Sequence, residues 1–285
     1  MKALIVGATG QLGHSLIAMA PKDATIVALG PDDIDITDQS AVAKAVHSSK
    51  PDVVFNAAAY TAVDKAESEE KVAHAVNATA VGYLSEAAAA AQARLVHVST
   101  DFVFDGMSGS PYPTAAPTNP LGVYGRTKRD GEVLAGRNAL IVRTAWVYGP
   151  HGANFVRTML RLMSERPEVR VVSDQVGSPT YAPGLAAALW QLAGQKASGM
   201  HHYTDAGIAS WYDFAVAIQE EGLAARLLDH AVPIVPISTS DFPKPARRPS
   251  YSVLDKSSTW AALGGPAPHW RSNLRRMMSE ISTFG

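Results

Sequence analysis

No cysteine occurs among the 285 residues, which excludes disulfides and thiolate metal sites. There is no uninterrupted apolar run near the ~18 residues of a membrane span, and no charged segment leading into an apolar one at the start. A charge surplus is missing too. Lys and Arg number 25 against 26 Asp and Glu, a net charge of −1, which argues against a partner recognised through bulk electrostatics, nucleic acid above all. No internal repeat is present, and the only compositional bias is an alanine-rich stretch at 87–91. With 47% hydrophobic residues, a chain of this length can bury a large core, as one large domain or one domain and a lobe. These exclusions leave a cytoplasmic enzyme acting on a small molecule, with no nucleic acid and no membrane partner.

Four stretches carry chemistry. Tyr124 and Lys128 are four apart, so they share one helix face. A phenol titrates near ~10 and needs a cation nearby to act at neutral pH; Lys128 is spaced to be that cation. An apolar run at 2–6 breaks into GATGQLG at 7–13. That order of strand, glycine turn and helix is the context in which Gly7, Gly10 and Gly13 let a backbone approach a pyrophosphate held at a helix N-terminus. A third stretch, apolar from Val96, ends in Ser99, Thr100 and Asp101. In an open parallel sheet ligands bind beyond the carboxyl ends of the strands, where Thr100 would be delivered. The fourth, residues 143–150, runs from a strand into a polar, aromatic loop.

In chain order, strands are expected at 24–29, 52–56, 139–142 and 169–172, alternating with helices that include 154–164. This pattern implies an α/β fold with a doubly wound parallel Rossmann sheet. Residues 1–150 form the dinucleotide-binding domain, with further sheet elements to about 173. Residues 174–285, punctuated by seven prolines from Pro179 to Pro249, form mainly a smaller C-terminal α/β substrate-binding lobe. The strand at 24–29 ends in Gly30, where a carboxylate commonly holds the adenosine ribose; Asp32 and Asp33 follow as solvated or capping residues of a turn. Either Thr37 or Asp38 caps the next helix. Ala57, Ala58 and Ala59 provide small side chains where a cofactor comes close. The capping-box spacing of Asp64 and Glu67 predicts the start of a long helix through Ala91, in which Asn77 bonds a neighbouring backbone group. Residues 107–119 read as a loop placed to cover a substrate.

Taken together, GATGQLG at 7–13, NAAAYTAVDKAE from Asn56, STDFVFDG from Ser99, PLGVYGRTK from Pro120, RTAWVYG from Arg143, DQVGSPT from Asp174 and PARRP from Pro245 resemble the dTDP-4-dehydrorhamnose reductase family of extended short-chain dehydrogenase/reductases. The resemblance implies NAD(P)H-dependent reduction of a 4-keto-6-deoxy sugar nucleotide, with NADPH as cofactor and NADH accepted as well. It implies Thr100, Tyr124 and Lys128 as the catalytic set, with Tyr124 protonating the carbonyl oxygen and Lys128 binding the nicotinamide ribose and lowering the phenol's pKa. The cofactor would be held by Gly7, Gly10, Gln11, Leu12, Gly13, Gly30, Asp35, Ile36, Ala58, Ala59, Tyr60, Thr61 and Val98 along with Tyr124 and Lys128. The substrate would meet Thr100, Asp101, Trp146, Asn154 and Arg247, with Trp146 against the hexose and Asn154 and Arg247 on the diphosphate.

Related dehydratases place an Asp-Glu pair after the threonine; Phe102 stands where that glutamate would be, so elimination lacks its base. An epimerase, another sugar-nucleotide reductase and a non-catalytic NADP-binding regulatory subunit are the alternatives, and the intact Thr100, Tyr124 and Lys128 disfavour the last. Some family members form a magnesium-bridged dimer through a glutamate after the Pro-Thr of the GSPT segment. This chain has Pro183 there, which ligates no cation, so no metal residue is assigned. Monomer and homodimer both remain open.

Overall fold

A computed structural model describes residues 1–283. The first half runs β1 (Lys2–Val6), α1 (Gln11–Ala18), β2 (Thr25–Leu29), α2 (Gln39–Ser49), β3 (Val53–Asn56), α3 (Val63–Ala66), α4 (Glu70–His74), a π-helical turn (Ala75–Thr79), α5 (Ala80–Ala90), β4 (Arg94–Thr100), a 3-10 turn (Asp101–Val103), α6 (Val123–Ala135) and β5 (Leu140–Thr144). The second half continues with β6 (Val147–Tyr148), α7 (Phe155–Glu165), β7 (Val169–Val172), β8 (Val176–Gly177), β9 (Thr180–Tyr181), α8 (Ala182–Gly194), β10 (Gly199–His202), β11 (Ala209–Ser210), α9 (Trp211–Ala224), β12 (Ile234–Ile237), α10 (Ser257–Leu263) and α11 (Trp270–Thr283).

Six strands pair in the order β10-β5-β4-β3-β1-β2, every pair parallel. The sheet is buried on both faces, which is why its strands read as continuous apolar runs and not as alternating ones. On one face Ala3, Ile5, Phe55, Val96 and Val142 pack with Leu16 of α1 and Leu185 and Leu189 of α8. On the other, Leu4, Val54, Leu95 and Ile141 pack with Val42, Val46, Val81, Leu84 and Ala135 of α2, α5 and α6. The chain steps from β1 outward to β2, then back across to β3. The crevice between the carboxyl ends of β1 and β3 is therefore the topological switch point, where a doubly wound sheet binds its ligand.

The lobe is a separate apolar core. The α7 positions Val156, Met159 and Met163, spaced to share one helix face, meet Val169, Val171, Phe214, Ile218, Leu274 and Met277. Two expectations about where the sheet ends are overturned here. The strand at 169–172 does not extend the main sheet; it pairs with β12, Val169 opposite Ile234. What completes the main sheet is β10, and α8 covers one of its faces, so some residues from beyond 174 belong to the unit built on the main sheet. Three valines around Arg170 announce a strand, but their partner strand lies 65 residues away and nothing local encodes it.

The helix expected from Asp64 through Ala91 is also different. The α3 turn has no side-chain cap, because the Asp64 carboxylate is engaged by the Arg248 guanidinium (2.9 Å from each oxygen). Glu67 accepts the Val123 N–H at 2.8 Å and so caps α6, not its own helix. The 107–119 loop is strapped down: the Tyr112 N–H donates to the Val253 carbonyl and its carbonyl accepts the Asp255 N–H.

Candidate active site

The glycine turn at the end of β1 is shaped by close approach. Gly7 has φ +78°, and a Cβ on it would lie 2.5 Å from the Ala58 nitrogen; one on Gly13 would lie 2.2 Å from the Gly7 carbonyl oxygen. Gly10 caps α1 without a side-chain hydrogen bond, so the first-turn N–H groups of α1 stay open to an anion. This cradle fits a dinucleotide diphosphate. Gln11 serves the turn from behind, its Nε2 donating to the Val147 carbonyl (3.1 Å), and Leu12 packs into the sheet core.

The residues expected at the adenosine follow β2. Asp35 accepts from the Thr37 N–H and hydroxyl, Ile36 is buried in the core, and Asp38, not Thr37, caps α2. Asp33 is an exposed residue that caps the turn, as expected: its Oδ2 accepts the Gly30 N–H at 2.8 Å, which also returns a carboxylate to the end of β2.

Beyond β3, Asn56 accepts the Ala58 N–H (3.1 Å) and holds the small-residue turn containing Ala59. Tyr60 and Thr61 follow, but the Tyr60 phenol donates to Glu69 (2.7 Å) and only the Tyr60 backbone is held by Asn77. Asn77 Oδ1 accepts the Tyr60 N–H (2.8 Å), and Nδ2 donates to the Tyr60 carbonyl and the Thr127 hydroxyl (both 3.1 Å). Bonding backbone was expected of Asn77; reaching a segment 17 residues away was not. The widened π turn lets it do so, and Gly131 allows the approach, since a Cβ there would meet the Asn77 carbonyl oxygen at 2.1 Å. Asn77 thus joins the cofactor-side loop to α6.

The α6 helix presents Tyr124 and Lys128 to the end of β4. Gly125 makes this possible, because a Cβ would sit 2.2 Å from the Phe102 carbonyl oxygen. Lys128 Nζ donates to the Val98 carbonyl at 2.6 Å. The Thr100 hydroxyl donates to Asp101 Oδ1 (3.1 Å) and accepts the Phe102 N–H (3.2 Å), and the Phe102 ring meets Tyr124 edge-on at 5.6 Å. Burial pushes the Tyr124 phenol up to about 12, with the facing Thr100 hydroxyl working the other way and the Asp101 charge adding to the rise. Burial lowers Lys128 to about 8 and raises Asp101 to about 6. The expected depression of the phenol by Lys128 is therefore not what the structure shows. The ammonium is spent on the Val98 carbonyl, and desolvation of the phenolate dominates.

The lobe holds a cavity of about 1010 Å³ whose lining includes Phe155, Leu162, Gln175, Trp211, Phe242 and Arg247, and none of Thr100, Tyr124 and Lys128 lines it. A smaller one beside it is lined by Phe102, Trp146, Trp211, Arg248 and Ser252 among others. Of the two arginines between prolines, Arg248 is paired with Asp64, leaving Arg247 exposed at the cavity. Asn154 is not free to hold a diphosphate: Oδ1 caps α7 by accepting the Arg157 N–H, while Nδ2 donates to Gln11 Oε1 and the Gly149 carbonyl (both 2.9 Å). Phe155, Leu162, Gln175, Trp211 and Phe242 were invisible to sequence reasoning. Only Gln175 lay in a quoted motif, and its Nε2, with the Asp174 carboxylate, grips Thr239 at the cavity rim.

A family model described as the RmlD substrate binding domain matches residues 1–283. The chain is 40% identical over 287 residues to a dTDP-4-dehydrorhamnose reductase of Aggregatibacter actinomycetemcomitans, covering 97% of this chain and 98% of the relative. Among solved structures it resembles a dTDP-4-dehydrorhamnose reductase from Clostridium acetobutylicum, with TM-score 0.91, 40% identity and 99% of each chain covered. It also resembles one from Bacillus anthracis in complex with NADP, with TM-score 0.92, 35% identity and coverage of 98% of this chain and 99% of the other.

Proposed function

The chain belongs to the family of the RmlD substrate binding domain, and from that premise we propose that it reduces the 4-keto group of dTDP-4-dehydro-L-rhamnose to give dTDP-L-rhamnose, with NADPH as reductant. The observation that carries this reading is the convergence of Thr100, Tyr124 and Lys128 at the carboxyl end of β4, next to Phe102, which lines a small cavity together with Trp146 of the lobe.

Gly7, Gly10 and Gly13 would hold NADPH, which when bound would supply the hydride. Tyr124, whose phenol is pushed up to about 12, keeps its proton at neutral pH and is ready to donate it to the carbonyl oxygen as negative charge develops there. Thr100 holds that oxygen by turning its hydroxyl from Asp101 to the sugar. Lys128, anchored on the Val98 carbonyl, would place a cation beside the ribose of a bound nicotinamide. Asn77 keeps α6 and the Ala59–Tyr60 backbone in register, so the acid and the cofactor wall move as one body. On the lobe side, Trp146 is assigned to the hexose and Arg247 to the diphosphate, whose two negative charges suit an exposed guanidinium fork. Asn154 acts indirectly, by pinning α7 to Gln11 of the glycine turn. No helix among the described residues is long and apolar enough to cross a membrane, and a cytoplasmic place in the supply of sugar nucleotides for cell-surface polysaccharide fits this activity.

The direct test gives purified protein the 4-keto sugar nucleotide and NADPH, follows the loss of reduced nicotinamide absorbance, and identifies the product by NMR. Stoichiometric oxidation with appearance of the L-rhamno product is the expected outcome. Cofactor binding with no turnover would instead mark a regulatory subunit.

A further inference from the structure

We propose that Trp211 is a positioning residue that locks Trp146, so that the two indoles act as one rigid wall between the sugar-facing and lobe-facing cavities. The inference rests on the reading above that Trp146 meets the hexose, and extends it to a residue outside every motif that pointed to the site.

Trp146 and Trp211 stack with ring centroids 3.5 Å apart and planes 8° from parallel. Other aromatic pairs nearby are less parallel or more distant: Tyr148 meets Phe214 at 63°, Phe214 meets Trp270 at 81°, and Phe155 and Phe214 lie at 22° with centroids 5.6 Å apart. Parallel stacking sets the Trp211 ring against one face of the Trp146 indole. Both tryptophans line the smaller cavity beside Phe102, and Trp211 also lines the large one. Phe155 supports the pair from behind, 4.6 Å from Trp211.

Trp146 is held in a backbone state that it does not favour. Its φ is +49°, the left-handed region that a bulky residue avoids. Three features over-determine it. Thr180 donates its N–H to the Trp146 carbonyl (3.1 Å) and its hydroxyl to the Ala145 carbonyl (2.6 Å). Gly177 leaves the space the indole fills, since a Cβ there would lie 2.7 Å from the ring. Trp211 closes the remaining side, and is itself fixed as the first residue of α9 by the capping box between Ser210 and Asp213. Pairing of Ala209 with Gly177 sets both in register. The DQVGSPT segment is thereby explained as the mould for Trp146.

The test compares Trp211→Ala, Trp211→Phe, Trp146→Ala and the double variant Trp146→Ala/Trp211→Ala. The measurements are KM for the 4-keto sugar nucleotide, calorimetric affinity for a dTDP-hexose, NADPH affinity, and the far-ultraviolet exciton couplet of stacked indoles. Trp211→Ala should abolish the couplet and raise KM by about tenfold or more, with NADPH affinity kept within about twofold, because the cofactor lies on other elements. Trp211→Phe should recover most of the KM. The double variant should be no worse than the poorer single one, as for residues that act as a unit. Additive losses, or an unchanged KM once the couplet is gone, would overturn the proposal. If Trp211→Ala fails to fold, Gly177→Ala displaces Trp146 with Trp211 intact and should raise KM alike; an unchanged KM there also overturns it. A wild-type protein that binds the dTDP-hexose without turnover defeats the assigned reaction alone, and the affinities still judge Trp211. No binding at all defeats both.

Discussion

At the scale of single residues, proton and cofactor chemistry separate cleanly. Tyr124→Phe removes the proton donor and leaves the cradle intact, so turnover should fall by at least ~10²-fold with NADPH affinity nearly kept; near-normal turnover would remove the phenol from the mechanism. Lys128, lowered to about 8 by burial, loses its charge as pH rises through that value. NADPH affinity in the wild type should weaken over the same interval, and in Lys128→Met it should be weaker throughout and flat with pH, as read by fluorescence titration. Cofactor choice is predicted to turn on Asp33. No Lys, Arg or His lies between Asp23 and Lys44, and the Asp33 carboxylate sits against the Gly30 N–H, within the turn proposed to meet the adenosine ribose. Asp33→Ala should shift the ratio of NADPH to NADH dissociation constants toward NADPH by about tenfold, the effect of ~1.4 kcal/mol; an unmoved ratio would show that the carboxylate does not face the ribose. Gly30→Asp is a poorer probe, because its Cβ would press on the Thr9 methyl at 2.8 Å.

At the scale of elements, α6 is the part on which the site depends, and a buried ion pair ties it to the sheet. Glu132 accepts from Arg143 of β5 through both oxygens, at 2.7 and 2.8 Å, with both side chains almost fully buried, and the guanidinium also lies 5.0 Å from the Phe104 ring. Arg143 opens the RTAWVYG stretch, and the structure gives it this architectural role and not a catalytic one. Glu132→Ala leaves a buried cation unpaired and should destabilise the fold by roughly 3–5 kcal/mol in urea melts. A loss under ~1 kcal/mol would mean that water reaches the guanidinium.

For the molecule as a whole, the junction between sheet and lobe carries a buried carboxylate with a pH signature. Asp205 is fully buried and accepts the Tyr181 N–H at 3.1 Å, and burial raises it to about 7. A carboxyl raised in the folded state binds a proton that the unfolded chain has already released. Stability should therefore decline as pH rises from about 4 through about 7, then level off. Asp205→Asn should flatten the melting temperature over that window relative to wild type; an unchanged slope would assign it elsewhere, Asp101 being the other raised carboxyl.

The sequence alone determined what depends on local order: the glycine turn after β1, the pairing of Tyr124 with Lys128 on one helix face, the delivery of Thr100 at a strand end, and the alternation that makes a doubly wound sheet. Each follows from residues within one turn or one strand of each other, so periodicity and spacing suffice. Tertiary structure alone decided which strand completes the sheet, that Asp64 pairs with Arg248 and not with its own helix, that Asn154 latches α7 to Gln11, and that Trp211 stands behind Trp146. Those partners lie tens to nearly two hundred residues apart. It also decided the protonation states, because the desolvation that holds the Tyr124 phenol high belongs to the walls around it and not to the spacing of YxxxK.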